Sequence, residues 1–195
     1  SAFLSAEDKN FYEHPGIDAL GLVRAVLTNL RNIRTDRRPV GASTITQQVA
    51  KNFLLTSEVS IERKMKEAIL AFRIEHALTK ERILELYMNE IWLGYGSYGV
   101  AAAALNYFNK GIDDLSLAEV AYLAALPKAP SNYHPIRHLE AATGRRNWVL
   151  GRMAEDGVIS ESEATLTAAL PLVTRRRDVG EFVSADYFAE EVRRT

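Results

Sequence analysis

The stretch SIERKMKEAILAFRIEHALTKERILELYMNE, residues 60–90, decides the fold class. Ile61, Met65, Ala68, Phe72 and His76 recur three or four residues apart behind Ser60, which is the spacing of one helix stripe. A second run opens at Thr79 and carries Ile83, Leu84, Leu86 and Met88 as an apolar surface. Alternating apolar and polar runs, the signature of half-buried strands, are nearly absent from the chain. The expected fold is therefore mainly α.

Working outward, Leu20, Val23, Leu27 and Leu30 place another helix over residues 17–31, and NIRTDRRPVG then breaks the pattern with charge, Pro39 and Gly41. STITQQ opens the next helix, with Thr44 and Gln47 at the spacing of a capping box, and this helix should run to about Phe53. WLGYGSYG reads as a glycine loop and GVAAAALNYF as a helix. Ser116 with Glu119 and Ser160 with Glu163 form two further capping boxes, whose helices end at Pro127 and Pro171. Between them a helix runs from about His138 to Gly157. Residues 1–170 read as one domain, and residues 171–195 as a linker and terminal helix leading towards a second domain.

Composition narrows the function. A chain of 195 residues with 47% hydrophobic content supports one globular domain. Its 24 Lys and Arg against 25 Asp and Glu leave a net charge of -1, so bulk electrostatics do not nominate nucleic acid as a partner. With no Cys there is neither a disulfide framework nor a thiolate metal site. His134 and His138 have a ligand-like spacing, but Pro135 between them argues against a shared helix face. No glycine-rich phosphate loop occurs, so no nucleotide or other organic cofactor is expected. Apolar runs fall short of the roughly 20 residues that span a bilayer. The opening SAFLSAED, without an initiator Met, reads as a piece cut from something longer.

Three clusters carry chemistry. In EDKNFYEHPG, residues 7–16, Glu7 and Asp8 sit where a helix should give way to a loop. Phe11 and Tyr12 close by would exclude water and raise a carboxylate's pKa towards that of a general base. His14 is as suited to bracing the loop as to contacting a ligand. In GASTITQQVAKN, residues 41–52, capping accounts for Thr44 and Gln47. It leaves Gln48, Lys51 and Asn52 to line a helix whose N-terminus favours anions. Arg63 and Lys64 precede Glu67 by one turn, either as a surface ion-pair set or as cations holding a partly buried carboxylate.

EDKNFYEHPG, GASTITQQVAKN, RKMKE and KERILELYMNEIWLGYGSYG resemble, in that order, the signature motifs of glycosyltransferase family 51, the peptidoglycan glycosyltransferases. The likeness continues through YFNKGIDDLSLAEVAYLAALPKAPSNYHP and RRNWVLGRM, and is closest to the class A penicillin-binding proteins. Ala42, where many members have Gly, and a longer NIRTDRRP loop are the departures. The resemblance implies a lysozyme-like helical domain that polymerises lipid II into β-1,4-linked glycan strands for cell wall biogenesis and cell shape, releasing undecaprenyl pyrophosphate. It implies Glu7 as general base and Glu67 as second catalytic glutamate. Asp8, Phe11, His14, Thr44, Gln48, Lys51, Asn52, Arg63 and Lys64 would be substrate-binding. It also implies work at the extracytoplasmic, periplasmic face of the cell membrane behind an N-terminal transmembrane anchor, with lipid II, the growing glycan, the membrane surface and cell-wall synthesis proteins as partners. A divalent cation (Mg or Mn) held with Glu67's help is a further expectation. Two other classes stay open at this level: a lytic enzyme that cuts existing peptidoglycan, and a non-catalytic wall-binding or scaffolding module. The apolar helix of residues 17–31 and the arginines after it, residues 17–42 together, are the expected membrane contact, against the alternative of a core helix with a solvated basic loop.

Overall fold

The computed structural model describes residues 1–32, 43–53 and 60–175. Arg34, Arg37, Arg38, the turn at Ala42 and the expected terminal helix lie outside these residues. The described residues form nine α-helices and one 3-10 turn (Ile112–Asp114), with no strand beyond an isolated bridge between Trp92 and Tyr98. The mainly α expectation holds.

Helix α7 (Leu117–Ala125) is the centre of the molecule. Its sequence is apolar on almost every side, and Ala121 to Leu126 are completely buried, as expected of a helix surrounded by others. Around it pack α1 (Ala2–Glu7), α6 (Val100–Phe108), α8 (Leu139–Glu155) and α9 (Glu161–Ala169). Leu123, Leu126, Val149 and Leu150 fill this core, so truncating any of the leucines to Ala costs about 2–5 kcal/mol. A second group joins α3 (Ile45–Phe53) to α4 (Ile61–Ala77) and α5 (Lys80–Glu90).

The helix starts follow their capping chemistry. Ser116 and Ser160 close complete capping boxes with Glu119 and Glu163. Thr44 and Gln47 do the same for α3: the Thr44 hydroxyl accepts from Gln47 N–H at 3.1 Å, and the Gln47 side chain accepts from Thr44 N–H at 3.0 Å. Ser60 and Thr79 cap α4 and α5. Gly99, at φ 78°, lets the 91–99 loop re-enter a helix where any Cβ would stand 2.4 Å from the Asn89 carbonyl oxygen.

The stripe that announces α4 is real, but it faces outward. Ile61, Met65, Ile69 and Phe72 are all exposed, and the helix turns Glu67, Ala71 and Ile74 inward instead. Helix α2 (Ala19–Asn32) is barer still, with Ala25 its single buried residue. No described helix is long and apolar enough to cross a membrane.

Candidate active site

Helix α1 ends at Glu7, and Asp8 is its C-cap. The change from helix to loop sends the two neighbouring carboxylates in different directions. Asp8 goes inward, where it accepts a hydrogen bond from Ile45 N–H at the start of α3 (2.9 Å) and lies 3.0 and 3.1 Å from His14 Nε2. Because His14 Nδ1 accepts from Gly16 N–H at 3.1 Å, Nε2 carries the proton and donates it to Asp8. Gly16 itself, at φ +97°, passes so close to α4 that a Cβ would meet Glu75 Cγ at 3.0 Å and the Ala71 carbonyl oxygen at 3.1 Å.

The loop is secured from a third side by Lys80. Its ammonium donates to the His14 carbonyl and to Glu75 Oε1, both at 2.7 Å, and lies 4.5 Å from the centre of the Phe11 ring. Thr44 is buried and donates to the Gly16 carbonyl at 2.6 Å. Phe11 and His14 therefore lie beneath the site as its support, away from the cleft wall, while Tyr12 points to solvent. Neither aromatic of this loop lines the cleft into which Glu7 points.

Glu7 goes the other way, into a cleft of about 870 Å³ that separates the α7-centred body from the α3–α5 group. Its side chain is 12% exposed. Gln48 donates to Oε2 at 3.0 Å, and Arg145 lies 4.0 Å from Oε1. Burial pushes the Glu7 carboxyl above its ordinary range; Gln48, Arg145 and Lys128 pull it back, and Asp8 adds to the rise.

Opposite Glu7 the wall is cationic. Lys51, Arg63 and Lys64 line the cleft with Glu67 and Ser43. Glu67 is 2% exposed, and Lys64 donates to its Oε1 at 2.7 Å and to Ser43 Oγ at 2.8 Å. The expected buried carboxylate thus exists, but Lys64 alone pairs with it: Arg63 makes no ion pair among the described residues. Asn52 is exposed and off the cleft wall, whereas Asp8 and Thr44 border a smaller adjoining recess of about 350 Å³.

Among the lining residues that escaped the sequence reading, four are charged or aromatic: Lys128, Tyr133, Arg145 and Trp148. Ala141, Gly144, Arg145 and Trp148 form one stripe of α8 at helical spacing. The two small residues leave room, and Arg145 lies 3.8 Å over the Trp148 ring. That small-small-Arg-Trp stripe was the available signal. It is indistinct because Arg146, the next residue, turns the other way, fully buried, and donates to the Ala168 carbonyl at 2.9 Å. His134 closes its own turn, with Nδ1 accepting from Ile136 and Arg137 N–H at 3.2 and 3.3 Å.

Glu7, its carboxyl held above the ordinary range, thus shares one cleft with ammonium and guanidinium groups, so a candidate base and counter-charges for an anion stand together. The chain belongs to the transglycosylase family, whose sequence model matches residues 1–154. Among its relatives, penicillin-binding protein 1A of Rickettsia felis is 56% identical over 192 residues, covering 98% of this chain and 24% of that protein. Penicillin-binding protein 1A of Aquifex aeolicus is 48% identical over 193 residues, covering 99% of this chain and 26% of that protein. The crystal structure of penicillin-binding protein 1A from Haemophilus influenzae matches 81% of this chain and 20% of that one at 38% identity, with a TM-score of 0.49. The chain spans about a quarter of the length of the relatives it matches.

Proposed function

We propose that this domain polymerises lipid II into β-1,4-linked glycan, with Glu7 as general base. The observation that carries the reading is the placement of Glu7: partly enclosed, of raised pKa, held at Oε2 by Gln48, and across one cleft from Lys51, Arg63 and Lys64. Gln48 leaves Oε1 to receive the proton. As Glu7 takes the proton of the acceptor's sugar hydroxyl, the oxygen attacks the donor's anomeric carbon from the face opposite the diphosphate. The bond to the diphosphate breaks, its electron pair leaves with undecaprenyl pyrophosphate, and an α linkage becomes β. A glycosidase that expels a sugar alkoxide needs a carboxylic acid to protonate it; a diphosphate departs as an anion and needs cations. The cationic wall favours transfer over the lytic reading for that reason.

Glu67 acts through Lys64, fixing the ammonium for the leaving group. The expected divalent ion fits poorly: no cluster of three acidic or imidazole ligands gathers among the described residues, and Lys64 occupies Glu67 Oε1. No step here runs through a metal, and none needs an organic cofactor. A location at the extracytoplasmic membrane face belongs to the same proposal, supported by the outward apolar sides of α2 and α4.

Incubating the chain with purified lipid II tests the reading: glycan strands and undecaprenyl pyrophosphate should appear together. Lys51→Ala should lower turnover while leaving thermal stability nearly unchanged, since an exposed lysine is usually worth little to folding; Lys64→Ala should lower turnover too, but with a drop in Tm as well, because it strips the buried Glu67 of its partner. Failure to consume lipid II, or cutting of preformed polymer in its place, overturns it.

A further inference from the structure

Arg145 stands on the Glu7 side of the cleft, apart from the cations that serve the leaving diphosphate. Its side chain is 9% exposed, more enclosed than that of Glu7, and its buried Nε has no hydrogen-bond partner among the described residues. A guanidinium drawn out of water with a bare donor is costly, so packing alone is a poor account of it. Its position is nonetheless fixed. It projects from α8 and lies 3.8 Å over the ring of Trp148, one turn further along the same helix. That stacking sets Nη2 at 4.0 Å from Glu7 Oε1, the carboxylate oxygen that Gln48 leaves open. The separation is too long for a direct hydrogen bond, but an oxygen about 2.8 Å from both atoms closes it, with roughly a right angle between the two contacts. A hydroxyl suits that place, because its O–H donates to the carboxylate while one lone pair accepts from the guanidinium. There is room beside it: a Cβ added at Gly144, the preceding cleft residue, would meet nothing within 4 Å.

We propose that the attacking hydroxyl of the acceptor sugar sits between Glu7 Oε1 and Arg145 Nη2, which makes Arg145 a catalytic residue on the acceptor side of the cleft. The proposal rests on the reading of Glu7 as general base. With the O–H turned to Glu7 and one lone pair held by Arg145, the remaining lone pair is the one aimed at the donor's anomeric carbon. As the new C–O bond forms, the proton passes to Oε1, the bond to the diphosphate breaks, and its electron pair leaves with the diphosphate. Arg145 keeps all its protons. Its part is to fix the direction of attack and to offset the negative charge that gathers on the oxygen while the proton departs. Lys51, Arg63 and Lys64 do the corresponding work for the leaving group across the cleft.

Arg145 faces Glu7 and Tyr133, and Glu7 is faced besides by Gln48 from α3, Lys128 from the segment after α7 and the neighbouring Asp8, so charge and contact at Arg145 need separate variants. Arg145→Lys keeps the charge and loses the planar fork. With lipid II, its kcat should fall by roughly tenfold or more while the acid limb of kcat/KM stays close to that of the parent chain. Arg145→Ala removes both charge and contact. Its limb should move to higher pH, since a cation beside a carboxylate lowers the carboxylate's pKa, and its plateau kcat should fall by roughly two to three orders of magnitude. Added guanidinium should restore part of that kcat and added ammonium should not, whereas an arginine that only packs is rescued by neither. Melting curves identify the folded fraction, and if Arg145→Ala does not fold, the lysine variant decides alone. A plateau kcat equal to the parent's in either variant overturns the proposal, even with a shifted limb, because a shifted limb alone marks a charge that never touches the reacting oxygen. A loss in folded Arg145→Ala that guanidinium does not restore overturns it as well. A parent chain that polymerises lipid II while these variants match it rejects this inference and leaves the function standing. A parent chain inert towards lipid II rejects the function.

Discussion

At the scale of single residues, Glu7 and Asp8 show how adjacent carboxylates acquire separate duties. Asp8 is paired and structural; Glu7 is enclosed and has free capacity. A carboxyl whose folded pKa lies above its unfolded value favours folding most when protonated, and that advantage is lost as pH rises through the folded pKa. At neutral pH the charged Glu7 is therefore a stability cost. Glu7→Gln keeps the shape and the neighbours while removing that cost, so Tm should rise at pH 7, by about 2–4 °C for each kcal/mol relieved, and the gain should vanish as pH falls below the raised pKa. Turnover of lipid II should meanwhile fall by roughly two to four orders of magnitude, the usual contribution of a positioned base. Calorimetry at two pH values together with a turnover assay checks both halves. A Glu7→Gln chain that is destabilised yet active would mark Glu7 as a turn-capping acid.

At the scale of elements, the sequence was most legible where local chemistry decides the outcome. The capping boxes at Thr44, Ser116 and Ser160, the caps at Ser60 and Thr79, and the glycine loop before α6 all form where their residue types require. Less legible was what lies at the far end of each bond. Nothing local says that Asp8 reaches across 37 positions to the first N–H of α3, or that Lys80 ties the Glu7 loop to α4. That clasp sets where Gln48, almost one turn along from Ile45, meets Glu7. Asp8→Ala leaves the Ile45 N–H and the His14 Nε2–H buried without their acceptor, at about 1–3 kcal/mol for each group left bare. The expected result is a Tm lowered by several degrees and, in the folded fraction, slower turnover with the hydrogen bond between Gln48 and Glu7 loosened. Hydrogen exchange should show the Ile45 and Gln48 amides losing protection before those of α7; equal loss everywhere would mean that the clasp is not local.

At the scale of the whole molecule, periodicity told where helices lie and left open which side of each is covered. Ile61, Met65 and Phe72 have the spacing of a core stripe, yet they are 83%, 61% and 49% exposed, because α4 uses Glu67, Ala71 and Ile74 for its inner face. The same holds for α2, whose Leu20, Val23, Leu27 and Leu30 are exposed, so the core-helix alternative for this segment fails. The missed cleft residues Arg145 and Trp148 have the same origin: a helix face acquires meaning only when its neighbour is known. Scattered apolar residues on a surface need no explanation, but two helices of one domain, each with an uncovered apolar side, do. A bilayer is the partner that suits the proposed lipid II substrate, with its long prenyl chain. Liposome flotation should recover the chain with the vesicles, and anionic vesicles at low salt should retain more of it than neutral ones, each basic residue near the surface adding about 1 kcal/mol. Leu20→Glu with Leu27→Glu, which places charge on the bare side of α2 away from the buried Ala25, should abolish flotation and leave the melting temperature almost unchanged. Unimpaired flotation in that double variant would mean that α2 takes no part in the contact.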